Sequence, residues 1–232
     1  MDPIVELQGL TRRYVSKGET VVALDGIDLT IEAGEFLALA GPSGSGKSTL
    51  LNLMGGLDRP SAGRVIVEGR DLSALSGKEL AALRRERLGF VFQSYNLVPV
   101  LSAQENVEYV MLIQGRPAAE RRARALEVLD EMGLAGMEHR RPASLSGGQQ
   151  QRVAVARAIA AKPALVLADE PTANLDTATG EALLDLMAGL NAKYGTTFVF
   201  STHDTRIMER ASRLVRLRDG HLVSDERREV TV

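Results

Sequence analysis

The sequence predicts an α/β fold with a mixed, mainly parallel sheet and an amino-terminal antiparallel β subdomain, and three observations carry that reading. First, the apolar run Glu35 to Ala40 leads through the loop Gly41-Pro42-Ser43-Gly44-Ser45-Gly46-Lys47-Ser48-Thr49 into the apolar stretch Thr49 to Met54, which reads as strand, loop and helix. Second, three further buried-looking runs, Leu88 to Phe92, Ala164 to Ala168 and Thr196 to Thr202, each end in polar residues: Gln93, Asp169-Glu170 and His203. In an open parallel sheet, ligands bind at those strand ends. Third, the first seventy residues alternate in short segments between turn residues, the pattern of antiparallel strands.

Taken in order, Ile4 to Leu7, Val21 to Leu24 and Ile27 to Ile31 are the first strands, with turns expected at Lys17-Gly18-Glu19 and Asp25-Gly26. Arg64 to Glu68, between Gly63 and Gly69, joins the same small sheet. Tyr14 falls in a polar loop and is either a packing residue or a stacking surface for a base. Ser76 with Glu79 and Ser102 with Glu105 fit the capping box, which marks two helix starts. Ala118 to Met132 has helical periodicity, with Ala123, Leu126, Leu129 and Met132 on one face and Arg121, Arg122 and Arg124 on a solvated one. Pro117 opens that helix and Gly133 closes it. Leu145-Ser146-Gly147-Gly148-Gln149 precedes a helical stretch from Gln150 to Ala160. Ser146 can cap it, and the two glycines expose N–H groups, so this is either a second anion-binding helix start or an ordinary serine cap. Arg213 to Arg218, Asp219-Gly220 and His221 to Val223 form a hairpin, followed by a solvated tail, Asp225 to Glu229.

Composition narrows the function classes. The 28 basic and 30 acidic residues leave a formal charge of -2, so nothing favours nucleic acid as a partner. Without cysteine there is neither a disulfide nor a thiolate metal site. No apolar run approaches the ~20 residues that span a bilayer, and Met1 to Glu6 has no leader character, so the expectation is a soluble, cytoplasmic protein.

The glycine loop fits G-x-x-x-x-G-K-[ST] at every fixed position. Average residue usage yields such a match by chance roughly once in a hundred chains of this size, and the strand and helix around it make chance a poor account. Its backbone N–H groups and helix start cradle an anion, Lys47 reaches the outer phosphates, and the Ser48 hydroxyl faces Mg²⁺. Asp169 is placed to hold Mg²⁺ through water, and Glu170 to orient or deprotonate an attacking water. His139 and His221 are read as ordinary packing or surface residues.

In its order of landmarks, Tyr14, the loop 41–49, Gln93, LSGGQ at 145–149, LVLADE at 165–170 and His203, essentially the whole chain resembles the ATP-binding cassette ATPases. The resemblance implies a P-loop NTPase core, RecA-like, forming with the β subdomain one unit of about 1–93 and 161–232, and an inserted α-helical subdomain of about 94–160, all within a single domain of 1–232. It implies adenine stacking for Tyr14, sensing of Mg²⁺ and the γ-phosphate for Gln93, the catalytic base for Glu170 and a γ-phosphate switch for His203. It also implies a head-to-tail dimer around two MgATP, in which Ser146, Gly147, Gly148 and Gln149 of one copy close on the nucleotide of the other and Ala173 to Asp176 crosses between them.

The runs LGFVFQSYNLVPVLSAQENV, MGGLD, LADEPTANLD and LRDGHL are similar to the lipoprotein-release and macrolide-export branch of that family, which serves integral membrane permease subunits from the inner face of the membrane. Ala173, where that branch usually has glycine, and Ser201, where an aliphatic residue is usual, are small departures. On this resemblance Ser94 to Leu101 forms part of a groove for a short helix of a membrane partner; alternatively Leu97, Val98 and Leu101 pack beneath the next helix. Two other classes compete. A soluble cassette ATPase of DNA repair or translation would bring a coiled-coil insertion or tandem cassettes, and a small-molecule kinase would leave LSGGQ and His203 unused.

Overall fold

The computed structural model describes residues 3–16 and 19–228. In chain order the elements are β1 (Val5–Ser16), β2 (Glu19–Ile31), β3 (Phe36–Ala40), α1 (Lys47–Met54), β4 (Ala62–Val67), β5 (Arg70–Asp71), α2 (Gly77–Arg87) and β6 (Leu88–Val91). They continue with α3 (Ala103–Ile113), α4 (Ala118–Glu131), α5 (Gly147–Ala160), β7 (Leu165–Asp169), α6 (Thr177–Tyr194), β8 (Thr197–Thr202), α7 (Thr205–Arg210), β9 (Arg213–Arg218) and β10 (His221–Arg227).

Two sheets organise them. The first is antiparallel, in the order β2-β1-β4-β5, and the second runs β10-β9-β3-β8-β7-β6. In the second, the five strands from β9 to β6 are parallel and β10 turns back along the edge. Successive residues of a strand face opposite sides, so the parallel sheet feeds two cores. Phe36, Ala38, Phe198 and Phe200 pack with α3 to α7, while Leu37, Leu39 and Val199 pack with α1, α2 and the antiparallel sheet. The apolar runs that read as strands are those buried on both faces, and β3 and β8 have no exposed residue.

Both capping boxes form: Ser76 and Ser102 each accept from the N–H of the glutamate three residues on, and that glutamate returns to the cap N–H. Elsewhere the expectations need correction. Asp25-Gly26 is not a turn but a bulge inside the long β2, where the Asp25 N–H donates to Gly220 O and the Gly26 N–H to Thr11 Oγ1. Tyr14 lies in β1, paired with Val21, and not in a loop. The buried face of α4 is Ala125, Val128 and Leu129 with Met132 beyond, whereas Ala123 and Leu126 are exposed, because a strict spacing of three drifts off a helix of 3.6 residues per turn. Arg124 is not solvated. It is 7% exposed, donating to Ala160 O, Glu127 and Tyr194 Oη. The tail is solvated as expected at Asp225, Glu226 and Arg227, but it is strand: β10 runs to Arg227, and Asp225 accepts from buried Arg213 at 2.7 Å. Met1, Asp2, Lys17, Gly18 and Glu229, which enter the leader, turn and tail readings, lie outside the described residues.

Candidate functional site

The carboxyl ends of β3, β6, β7 and β8 open on a cleft of about 570 Å³ lined by Ser43, Gly44, Gly46, Lys47, Ser48, Thr49, Gln93, Glu170 and His203, together with Ala23. The loop 41–49 turns directly from β3 into α1; Gly41 and Gly46 are spatial requirements there, whereas Gly44, at φ 81°, meets nothing and is a conformational one. A methyl group on Gly41 would lie 2.3 Å from Leu217 O and 2.6 Å from Ser45 Oγ. Gly46, at φ 101°, is the first cap of α1, and no side chain hydrogen-bonds to that helix start. Its N–H groups therefore face the cleft without an internal acceptor.

The polar side chains Ser45 and Lys47 of the loop are both buried. Lys47 Nζ, on a buried side chain, donates to Gly41 O at 2.7 Å and Pro42 O at 3.0 Å. Ser45 Oγ is buried without a partner. A donor-rich cradle that glycine alone permits, with an orphaned hydroxyl, fits a polyphosphate. Ser48 Oγ donates to Asp169 Oδ1 at 3.0 Å, so a hydroxyl and a carboxylate oxygen stand side by side, a donor set suited to Mg²⁺.

The strand ends supply the remaining groups. Glu170 sits just past β7 in the left-handed region at φ 45°, its N–H bonded to Ser201 O, and its Oε1 lies 2.8 Å from His203 Nδ1. Glu170 is largely sheltered while His203 is 71% exposed, so the carboxylate is held and the imidazole can still turn toward a ligand. Behind His203, burial pushes Asp204 up, yet hydrogen bonds from Arg206 and Thr172 outweigh it and hold the carboxyl at about 2. That network ties the strand end of β8 to the loop that follows Glu170.

Gln93 begins a turn gripped from two sides. Asn174 Nδ2 donates to Gln93 O at 2.9 Å, and Arg157 of α5 donates to Asn96 O at 2.5 Å and Tyr95 O at 2.9 Å. Tyr95 and Asn96 both have positive φ, and the Arg157 clamp holds that turn. Arg157 and Ala23 drew no attention in the sequence as members of this site, because each joins it through a contact distant in the chain; Asp204, next to His203, shows its part only through Thr172, and Asn174 is expected only in the crossing segment 173–176.

Gly41, Pro42, Ser45 and Asp169 stand behind the lining residues, bonded to or flanking them, and two further groups of expected site residues fall outside the cleft. Ser146, Gly147, Gly148 and Gln149 begin α5 with a complete capping box, and none of them lines it. Tyr14 does not line it either; it stands on β1 opposite Val21, two residues from the cleft residue Ala23. Leu97 packs against the core, the part of the alternative for that segment that the contacts support, and Val98 is bonded through both backbone groups to Asn106.

What this end of the sheet is built to hold is a nucleoside triphosphate with its metal, which places the chain among the P-loop NTPases. Comparison narrows that class. Residues 24–173 match the family model described as ABC transporter. The chain is 49% identical to the macrolide export ATP-binding/permease protein MacB of Sodalis glossinidius over 99% of its own length and 35% of the relative's, so it spans about a third of that protein. It is 50% identical to the lipoprotein-releasing system ATP-binding protein LolD of Anaeromyxobacter dehalogenans, over 96% of this chain and 94% of the relative. The fold superposes on the ATP-binding cassette MJ0796, solved as a dimer in a post-hydrolysis state bound to ADP and phosphate, with a TM-score of 0.89 and 43% identity over 96% of this chain and 98% of the other. The chain belongs to the ABC transporter family. That membership sets aside the soluble repair or translation cassette and the kinase.

Proposed function

We propose that this chain is the ATP-hydrolysing subunit of a transporter of the lipoprotein-release or macrolide-export type, working as a head-to-tail pair on the inner face of a membrane. The observation that carries the reading is the single cleft in which Lys47, the Ser48–Asp169 pair, Gln93 and the Glu170–His203 pair meet. In this reading Lys47 exchanges its two loop carbonyls for phosphate oxygens. The oxygen of a water held by Glu170 bonds to the γ-phosphorus, the bond from that phosphorus to the β–γ bridging oxygen breaks, and the water's proton passes to Glu170. His203, released from Glu170, meets the γ-phosphate, and Gln93 reports its presence. Mg²⁺, when bound by Ser48 with Gln93 and, through water, Asp169, supplies charge neutralisation between the β- and γ-phosphates. Tyr14 carries the adenine.

Ser146 to Gln149 then act on the nucleotide of the other copy, and 173–176 crosses between copies. This would give each chain two anion-binding helix starts used on different nucleotides. Glu170→Gln is expected to bind MgATP, to lose about 10²- to 10³-fold in turnover, and to accumulate as a dimer in ATP on size exclusion. Wild-type turnover from that variant would remove Glu170 from the role of base.

Among the described residues no helix is long and apolar enough to cross a membrane, so the reading needs a docking place for the permease. An apolar groove of about 620 Å³ lies between α2, β6 and α3, walled by Leu57, Phe90, Phe92, Tyr109 and Ile113, with Asn96 at its edge. It suits the apolar face of a short permease helix. The groove is therefore walled mainly by strand and helix residues, not by the 94–101 segment itself. Ile113→Asp should abolish stimulation of ATP hydrolysis by the co-purified permease and leave the isolated subunit's rate intact.

A further inference from the structure

We propose that Asp58 and Arg12 are positioning residues that hold Tyr14 as a platform for the nucleotide base, an inference that rests on the reading of Tyr14 as the adenine-stacking residue. Tyr14 Oη donates to Asp58 Oδ2 at 2.8 Å. Arg12 Nε donates to the same oxygen at 2.9 Å, and its Nη2 reaches Asp58 Oδ1 at 2.8 Å. The Arg12 guanidinium lies over the ring, 4.4 Å from its centre.

The need for such a brace follows from where the tyrosine sits. Its neighbours on the antiparallel sheet, Val15 and Val21, are 75% and 60% exposed, and Tyr14 itself is 38% exposed. Beyond Arg12 and Asp58, its exposed strand neighbours do little to fix its rotamer, and an unbraced ring would lose rotamer freedom each time a base bound. The carboxylate and guanidinium remove that loss in advance. Asp58 is also tied to the rest of the site: its N–H and that of Leu57 donate to Asn52 O in the last turn of α1, and Ser61, three residues on, bonds both backbone and side chain to β1. Thus α1 meets the phosphates at its first residue and steadies the base platform from the segment after its last.

The test compares two ligands on the purified full chain with Mg²⁺: ATP, which has a base, and inorganic tripolyphosphate, which has none. Base stacking on an aromatic side chain is worth roughly 5- to 100-fold in affinity. Asp58→Ala is expected to weaken MgATP by about 10-fold, to leave tripolyphosphate within about twofold of wild type, and to raise KM for ATP while preserving kcat. Tyr14→Phe, which keeps the ring and deletes only the donor to Asp58, should shift ATP by two- to threefold in the same direction. It also covers the case in which Asp58→Ala does not fold. If Tyr14→Ala leaves the ATP affinity unchanged, the base-platform reading fails and the inference falls with it. If Tyr14→Ala weakens ATP selectively while Asp58→Ala and Tyr14→Phe match wild type, the platform stands and the brace is refuted. Equal weakening of ATP and tripolyphosphate by Asp58→Ala would instead assign the residue to the shape of α1, overturning the proposal.

Discussion

Two helices of this chain begin at glycines, and they begin in opposite ways. α1 starts at left-handed Gly46 with no side-chain hydrogen bond to its first turn. α5 starts at Ser146, whose hydroxyl accepts from the Gln149 N–H while the Gln149 side chain returns to the Ser146 N–H. Side chains likewise close the starts of α2, α3, α6 and α7. α4, which opens at Pro117, also lacks a side-chain cap; what sets α1 apart is that its open start borders the cleft, whereas the start of α5 is complete by itself. A nucleotide reaching α5 must add to a finished cap, whereas at α1 it completes an unfinished one. This is the asymmetry expected if one start binds the nucleotide within the chain and the other meets a partner's nucleotide only after dimerisation.

That contrast can be broken or sharpened, beginning with the largest effect. Lys47→Ala removes the cation of the open start, and MgATP affinity measured by calorimetry should fall by about 10- to 100-fold, the worth of a charge-assisted hydrogen bond. The nucleotide-free chain should lose only about 1 kcal/mol or less, because Lys47 bonds no element beyond its own loop.

Next, Asp204 closes the start of α7 as a carboxylate held at about 2, below the usual 3.8. A depressed folded value stabilises the chain above the unfolded pKa and is lost as the pH falls from about 4 toward 2. Denaturation monitored across that window should show about 1–2 kcal/mol disappearing, and Asp204→Asn should remove that dependence. Ser146→Ala should cost about 1 kcal/mol, a fall in Tm of a few degrees, because the closed start depends on that hydroxyl. The same variant should still bind MgATP and fail to turn it over.

The smallest effect belongs to Ser45, whose buried hydroxyl has no partner in the free chain. Ser45→Ala should leave the unfolding free energy unchanged or raise it by up to about 1 kcal/mol. Differential scanning with and without MgATP would show whether the hydroxyl is used only when ligand is present.

What could be read from the sequence was what neighbouring residues decide among themselves. The glycine loop, the two capping boxes, the Ser146 cap and the strands buried on both faces are local patterns, and the residues at 93, 169, 170 and 203 inherited their place from the ends of those strands. The misreadings share a different cause. Arg124 looked solvated because its acceptors lie on α5 and α6, 36 and 70 residues away. Asp25-Gly26 looked like a turn because the bond that makes it a bulge comes from Gly220. Tyr14 looked like a loop residue because its strand partner and its carboxylate are supplied by Val21 and Asp58. Local composition carries no trace of the partners at Ala160, Tyr194, Gly220 and Asp58; Val21, seven residues from Tyr14 across the expected turn at 17–19, was within reach of a hairpin reading.

The β9–β10 turn reaches the phosphate loop from behind: the Gly220 N–H donates to Ser45 O, and Leu217 O leaves Gly41 no room for a side chain. Some 170 residues separate the loop from the backbone that braces it. Closing so long a loop is slow, and contacts of such separation form late. Competence for nucleotide is therefore expected to arise only as the β9–β10 hairpin docks, which makes ATP a sensor of that docking.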